Sequence, residues 1–246
     1  MLLSLYHTIL FQPLFNVLIF FYNIVPIKDI GWAIILITIL VRLLLFPLSK
    51  SSIESQKRLQ EIKPKLDELK EKHKGDKEAF GKASMELYKQ EKINPMSSCL
   101  PLLIQLPILI ALYQVFRKGL AGLSFEYLYP FVSQPETINS VFLGVMDLSQ
   151  PNVILAIVTG ISQYIQAKMI MNIKGAETKP TKPGDIAGAM SKQMLYVMPV
   201  FTVFIGMSLP SGLILYWLIS MILTIAQQYY LFRKKDIDKP VVVENS

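Results

Sequence analysis

The sequence predicts an all-α integral membrane protein, with five transmembrane helices around a hydrophilic cavity, a helical hairpin in water and an N-terminal interfacial helix. Three observations carry that reading. Hydrophobic residues make up 52% of the 246 and mean hydropathy is +0.41. The charges are crowded into a few blocks between nearly charge-free segments, which is the pattern of spans and loops rather than of a soluble core. Finally, the apolar run from Thr38 to Pro47 contains one guanidinium, Arg42. A permanent charge there costs at least about 2.5–3.5 kcal/mol on insertion scales unless something solvates or pairs it.

Residues 1–28 hold an apolar segment with Gln12, Asn16 and Asn23 on one helical face and Pro13 within it. That spacing suits an amphipathic helix in the membrane interface, although about 20 apolar residues would also span. A basic leading region and a small-residue cleavage site are both missing, which disfavours a cleaved signal peptide. The first span is expected within residues 29–49, with Trp32 as interfacial anchor and Pro47 as its end.

Residues 50–96 change character, with 12 Lys/Arg and 9 Asp/Glu. Ser51 and Glu54 have capping-box spacing, and Ile53, Leu59, Ile62, Leu66 and Leu69 recur at helical intervals. After Lys74-Gly75-Asp76, Phe80, Ala83 and Leu87 share one face of a second arm. A helical hairpin follows, kinked at Pro64. Residues 97–246 supply four further spans at about 98–116, 152–171, 195–209 and 212–231. An aromatic-rich loop separates the first two, a Gly/Pro loop follows the third, and Pro210-Ser211-Gly212 predicts an antiparallel hairpin for the last pair. The 195–209 segment is short for a ~30 Å core.

The hairpin, the 172–193 loop with its flanking Lys168 and Lys192, and the tail carry 21 of the 25 basic residues, which predicts that these segments and the C-terminus are cytoplasmic. The net charge of +7 then needs no nucleic acid to explain it; a topology signal suffices, with anionic lipid or ribosomal RNA as further partners of that face. One cysteine, Cys99, allows no internal disulfide and too few thiolates for a metal cluster, and His7 and His73 are too far apart in sequence to suggest a metal pair.

The polar groups inside the spans form stripes. Thr38 and Arg42 are one turn apart, Thr159, Gln163 and Gln166 share a face of the third span, and Tyr216, Ser220, Thr224 and Gln228 repeat every fourth residue of the fifth. Gln105 adds a group from the second. Such stripes turn either toward a wet cavity or into interhelical hydrogen bonds that lock the bundle. Arg42 is within roughly 8 Å of Pro47 along the helix, near enough for snorkelling. Yet no Asp or Glu occurs in any of the five spans, so an unpaired Arg42 favours a water-filled cavity. The same absence disfavours a proton- or sodium-coupled transporter. No Walker-type Gly-rich Lys loop is present, nor a Ser/Lys or paired Asp arrangement in the spans for an intramembrane protease.

Three stretches then become specific: Lys92-Ile-Asn-Pro-Met-Ser-Ser-Cys99-Leu-Pro-Leu-Leu-Ile-Gln105-Leu-Pro107; Val41-Arg42 with Phe46-Pro47; and Leu209-Pro-Ser-Gly-Leu-Ile-Leu-Tyr216-Trp217 with Gln227-Gln228. Together, over nearly the whole chain, they resemble the YidC-type membrane protein insertases, relatives of the mitochondrial Oxa and plastid Albino proteins. The resemblance implies five transmembrane helices around a hydrophilic groove open to cytoplasm and lipid, a cytoplasmic helical hairpin and a preceding interfacial helix. It implies Arg42 as the groove's cation, Thr38 and Gln166 as groove residues, and Tyr216 and Trp217 as substrate-contacting aromatics, to which the polar stripes add Gln105, Gln163, Ser220 and Thr224.

Implied with these are insertion without nucleotide hydrolysis, no cofactor, no catalytic residue and no metal, in a bacterial cytoplasmic (inner) membrane. The implied partners are nascent membrane proteins with hydrophilic or acidic N-terminal tails, and membrane lipids. The Sec translocon, the ribosome and signal recognition components are candidates at the 51–96 hairpin, and no specific DNA is expected. A short form is expected, without the large soluble domain of Gram-negative members or the lipoprotein cysteine of Gram-positive ones. The tail holds only four basic residues, and Ser208 stands where some relatives have an aromatic. A channel or small-solute transporter, or a passive assembly scaffold, is the alternative.

Overall fold

A computed structural model describes residues 5–94, 100–119, 125–171 and 193–234. Helix α1 (His7–Ile24) begins with a π-helical turn over His7–Phe11, and Pro13, which has no N–H to give to the preceding turn, stands just after the π-helical bonding passes into α-helical bonding. A short turn leads to α2 (Ile30–Leu44), whose N-cap is Asp29: the carboxylate accepts from Gly31 N at 2.8 Å. Phe11, Phe15, Leu18, Ile19 and Tyr22 of α1 are buried against α2 and the rest of the core.

The first span, expected within residues 29–49, is interrupted just before Pro47. α2 stops at Leu44, Leu45 takes φ −87° and ψ 2°, and α3 (Phe46–Glu61) leaves at 67° to it. Pro47 explains the break: it cannot donate to the carbonyl four residues back, and its ring would strike that carbonyl in a continuous helix. α3 then runs unbroken past Ser51 and Glu54, so the expected capping box is not a helix start; those residues lie inside a helix already begun.

Ile62 ends α3, and α4 (Lys63–Lys72) starts with Pro64 in its first turn, a break where a kink is expected. Gly75, at φ +97°, turns the chain, and Asp76 caps α5 (Lys77–Gln90) by accepting from Glu78 N and Ala79 N. α4 packs on α5, and Lys65 pairs with Glu91 at 2.5 Å across the hairpin.

α6 (Leu100–Gly119) contains Pro107. The connection after it carries a short 3₁₀ turn, Phe125–Tyr127, and a two-residue antiparallel ladder, β1 (Val141–Phe142) with β2 (Met146–Asp147). The ladder departs from the all-helix expectation; Leu143 and Gly144, both at positive φ, form its tight turn. α7 (Val153–Met171) follows; after a π-helical turn at Gln193–Val197 come α8 (Met198–Gly206) and α9 (Ser211–Lys234).

The last two helices, expected as an antiparallel hairpin, are joined by the short 207–210 turn, and each packs chiefly on α7. Small residues draw α8 onto α7: a Cβ on Gly160 would lie 2.4 Å from Val203 Cγ2 and 3.0 Å from the Pro199 carbonyl oxygen, and one on Gly206 2.9 Å from Ala156 Cβ. Close backbone approach of this kind is how helices associate where lipid removes the hydrophobic drive. α9 packs on α7, α2 and α6, which makes it the axis of the bundle.

By length and composition α1, α7 and the Ser211–Arg233 part of α9 can each cross a membrane, and the bent α2–α3 pair makes up to four. The apolar helices Leu103–Arg117 and Leu195–Gly206, within two of the five expected spans, are shorter. Cys99, the chain between 172 and 192 and the tail beyond 234 lie outside the described residues.

Candidate functional site around Arg42

Arg42 occupies the last turn of α2, where a cation meets the negative end of the helix dipole, immediately before the break. The bend therefore sets the height and direction of the guanidinium. It is half-buried and close enough to Tyr216 of α9 for the two to interact electrostatically. Among the described residues no Asp or Glu pairs with it.

Tyr216 is 1% exposed, and its hydroxyl accepts a hydrogen bond from Gln105 Nε2 of α6 at 2.8 Å. Three helices thus bring Arg42, Gln105 and Tyr216 to one place. Gln227 of α9 also reaches the break, donating from Nε2 to the Phe46 carbonyl at 3.4 Å.

The other sequence-identified residues divide into two groups. Three threonines close on their own helices: Thr38 Oγ1 donates to the Ile34 carbonyl at 2.5 Å, Thr159 to Leu155 at 2.8 Å, and Thr224 to Ser220 at 2.8 Å. This back-bonding to the residue four before satisfies the hydroxyl proton without another helix. Thr38 and Thr159 are fully buried; they fill space beside the polar groups.

The second group is unsatisfied. Gln163 Oε1, Ser220 Oγ and Gln228 Oε1 are buried with no good hydrogen bond, although Ser220 lies one turn from Tyr216. Gln228 is 1% exposed and completes the α9 stripe. Buried oxygens left unpaired cost about 1–3 kcal/mol each, so three on the facing helices α7 and α9 mark an interior suited to water or to a polar chain. Gln166 and Trp217 are half-buried, and Trp217 packs against the apolar core.

The opposite end of the bundle is tied shut by the 125–150 connection. Asp29 Oδ2 accepts from Leu143 N at 2.9 Å, Ile30 N donates to Asn139 O, and Phe142 lies so close to Gly31 that a Cβ there would be 2.0 Å from its ring. Gly212 N donates to Leu148 O, and Ser211 donates to Gln150 O from both backbone and side chain. The connection also follows α1: Asn16 Nδ2 donates to Tyr127 O and Asn16 Oδ1 accepts from Tyr129 N, Asn23 donates to Ser133 O, and Tyr22 OH donates to Thr137 O and accepts from Asn139 N. The polar face of α1 was readable in sequence; that one loop occupies its whole length was not.

A family profile described as 60Kd inner membrane protein matches residues 20–239. The chain belongs to that family, the YidC-type membrane protein insertases. Among curated relatives, the membrane protein insertase YidC of Geotalea daltonii is 40% identical over 89% of this chain and 36% of its own length. That of Nitrosococcus oceani is 37% identical over 92% of this chain and 37% of its own. The chain thus spans a little over a third of the length of these YidC relatives. A crystal structure of an active YidC insertase with its first transmembrane domain resolved superposes with a TM-score of 0.62 at 26% identity, covering 89% of this chain and 46% of that one.

Proposed function

We propose that this chain is a membrane protein insertase, taking small nascent membrane proteins from the cytoplasm into the bilayer through a groove that contains Arg42, without nucleotide hydrolysis. One observation carries the reading: an intramembrane guanidinium with no carboxylate partner among the described residues, beside the Gln105–Tyr216 pair and a set of unsatisfied oxygens on α7 and α9. The missing counter-charge arrives on the substrate. A hydrophilic, acidic N-terminal tail enters the groove, where lowered dielectric strengthens its attraction to Arg42. The apolar segment that follows moves along α7 and α9 into lipid, so hydrophobic transfer drives the step.

The hairpin of α4 and α5 meets the substrate or its delivery partners on the cytoplasmic side, an orientation supported by the basic residues of the hairpin, the 172–193 loop and the C-terminal tail. The Sec translocon, ribosome and signal recognition components are the candidates there. α1 lies along the outer membrane surface. Hydrogen bonds from a single connection reach residues 12 to 23 of α1, roughly 16 Å apart along the helix. A loop joining the outer ends of spans can follow a helix lying flat over that distance far more readily than one crossing the bilayer. Groove contacts are assigned to Arg42, Gln105, Gln163, Gln166, Tyr216, Trp217 and Ser220, with Thr38 and Thr224 as lining.

Purified protein alone in proteoliposomes, without nucleotide, is expected to protect the translocated tail of a single-span, acidic-tailed substrate from external protease. Failure to protect, together with conductance of small solutes by the same vesicles, would establish the channel alternative instead.

A further inference from the structure

A second site lies away from Arg42, where the C-terminal ends of α7 and α9 part. A cleft of about 640 Å³ opens there between Tyr164 and Lys168 of α7 and Tyr229, Phe232 and Arg233 of α9. Among the described residues two cations, Lys168 and Arg233, and no acid line it. Lys168 Nζ stands 5.8 Å from the centre of the Tyr164 ring, held over an aromatic face instead of in an ion pair. Lys57, whose ammonium lies 6.0 Å from the Phe232 ring, is already within 3.9 Å of Glu61 and is not counted.

The floor of the cleft is apolar, from Ile165 and Met169. Ile165 continues an exposed stripe on α7 with Ile161 and Val158, which descends about 10 Å toward the middle of the helix. Cations and tyrosine hydroxyls at the top, with an exposed aliphatic track below, match one amphiphile: phosphate at the headgroup level, acyl chain along the helix.

We propose that this cleft is a binding site for an anionic phospholipid of the leaflet at the C-terminal ends of α7 and α9. Lys168 and Arg233 hold the phosphate, Tyr164 and Tyr229 donate to its oxygens, and Val158, Ile161 and Ile165 carry an acyl chain. A bound lipid would fill the gap between the two helices that flank the groove without occupying the Arg42 end. The competing role for both cations is to offset the carbonyl ends of two helices, and that role has no preference among lipids.

The test is native mass spectrometry of the full chain released from detergent with an equimolar mixture of phosphatidylglycerol and phosphatidylcholine of identical acyl chains. Preferential retention of phosphatidylglycerol is expected, falling about fivefold in Lys168→Gln and again in Arg233→Gln, and restored by Lys168→Arg. Lys82→Gln, on the distant hairpin, should leave it unchanged and controls for overall charge. Equal retention of the two lipids, or an unaltered preference in the Lys168→Gln/Arg233→Gln double variant, would overturn the site; a lower melting temperature with unaltered preference would leave only the dipole role. Displacement of phosphatidylglycerol by excess inorganic phosphate would likewise overturn the lipid assignment in favour of a free anion.

Discussion

Gln105 and Tyr216 are 111 positions apart in sequence, yet the Gln105 amide donates to the Tyr216 hydroxyl at 2.8 Å, and that hydroxyl lies within electrostatic reach of Arg42. The bond orders a tyrosine that is 1% exposed and fixes the distance between α6 and α9 at the height of the cation. Tyr216→Phe removes the acceptor while keeping the ring's volume. The expected loss is about 0.5–1.5 kcal/mol of stability, with a larger fall in insertion for acidic-tailed than for neutral-tailed substrates. Thermal unfolding in detergent and the protease-protection assay measure the two effects separately.

The α7–α8 contact depends on a missing side chain. A Cβ on Gly160 would approach Val203 Cγ2 to 2.4 Å and the Pro199 carbonyl oxygen to 3.0 Å; the first can yield by a rotamer change, the second only by moving backbone. Gly160→Ala is expected to destabilise by about 1–3 kcal/mol through overpacking, and Gly160→Ala/Val203→Ala to recover part of it. Melting temperatures of the two variants, compared with that of the unsubstituted protein, decide this.

Asp29, buried at 2% exposure, ties α2 to the β1–β2 turn through Gly31 N and Leu143 N. Asp29→Ala leaves both donors without this acceptor, at an expected cost of about 1–3 kcal/mol, and Asp29→Asn, which retains one acceptor, costs less. Hydrogen exchange should accelerate at Gly31 and Leu143 more than in the α4–α5 hairpin.

Asp147, on the β1–β2 ladder, accepts from Ser149 N at 2.9 Å and from Ser149 Oγ at 2.7 Å. These bonds favour the carboxylate and hold its pKa below the ordinary 3.8. The sign follows: a lowered carboxylate pKa contributes stability that is present above 3.8 and is lost as pH falls through the lowered value. The Ser149 amide shift should therefore titrate with a midpoint below 3.8, and Asp147→Asn should abolish that titration.

Arg42, Gln105 and the Tyr216–Ser220–Thr224–Gln228 stripe could be read from sequence because a polar group in a charge-free apolar segment is costly wherever it points. Direction was harder. Thr38, Thr159 and Thr224 have the spacing of an outward polar face, but a threonine can bond its own helix, and sequence periodicity cannot distinguish that from a contact with a partner. The break at Leu45 was signalled by Pro47, but proline chemistry alone does not specify the 67° angle at which a continuous α3 leaves. Leu143-Gly144 is a recognisable turn, yet two-residue strands leave almost no alternation to read. The packing of α8 on α7 instead of α9 rests on Gly160 and Gly206, whose absent side chains matter only once their neighbours are known.

The central claim is that the counter-charge for Arg42 comes from the substrate, and a charge cycle in proteoliposomes tests it most directly. Wild type, Arg42→Lys and Arg42→Ala are each given a single-span substrate with an acidic tail and the same substrate with its acids neutralised, and the protected tail is measured. The account predicts that Arg42→Lys keeps most of the insertion of the acidic tail, that Arg42→Ala loses it, and that the neutral tail is affected far less. Equal losses for both tails in Arg42→Ala, or undiminished insertion of the acidic one, would contradict it.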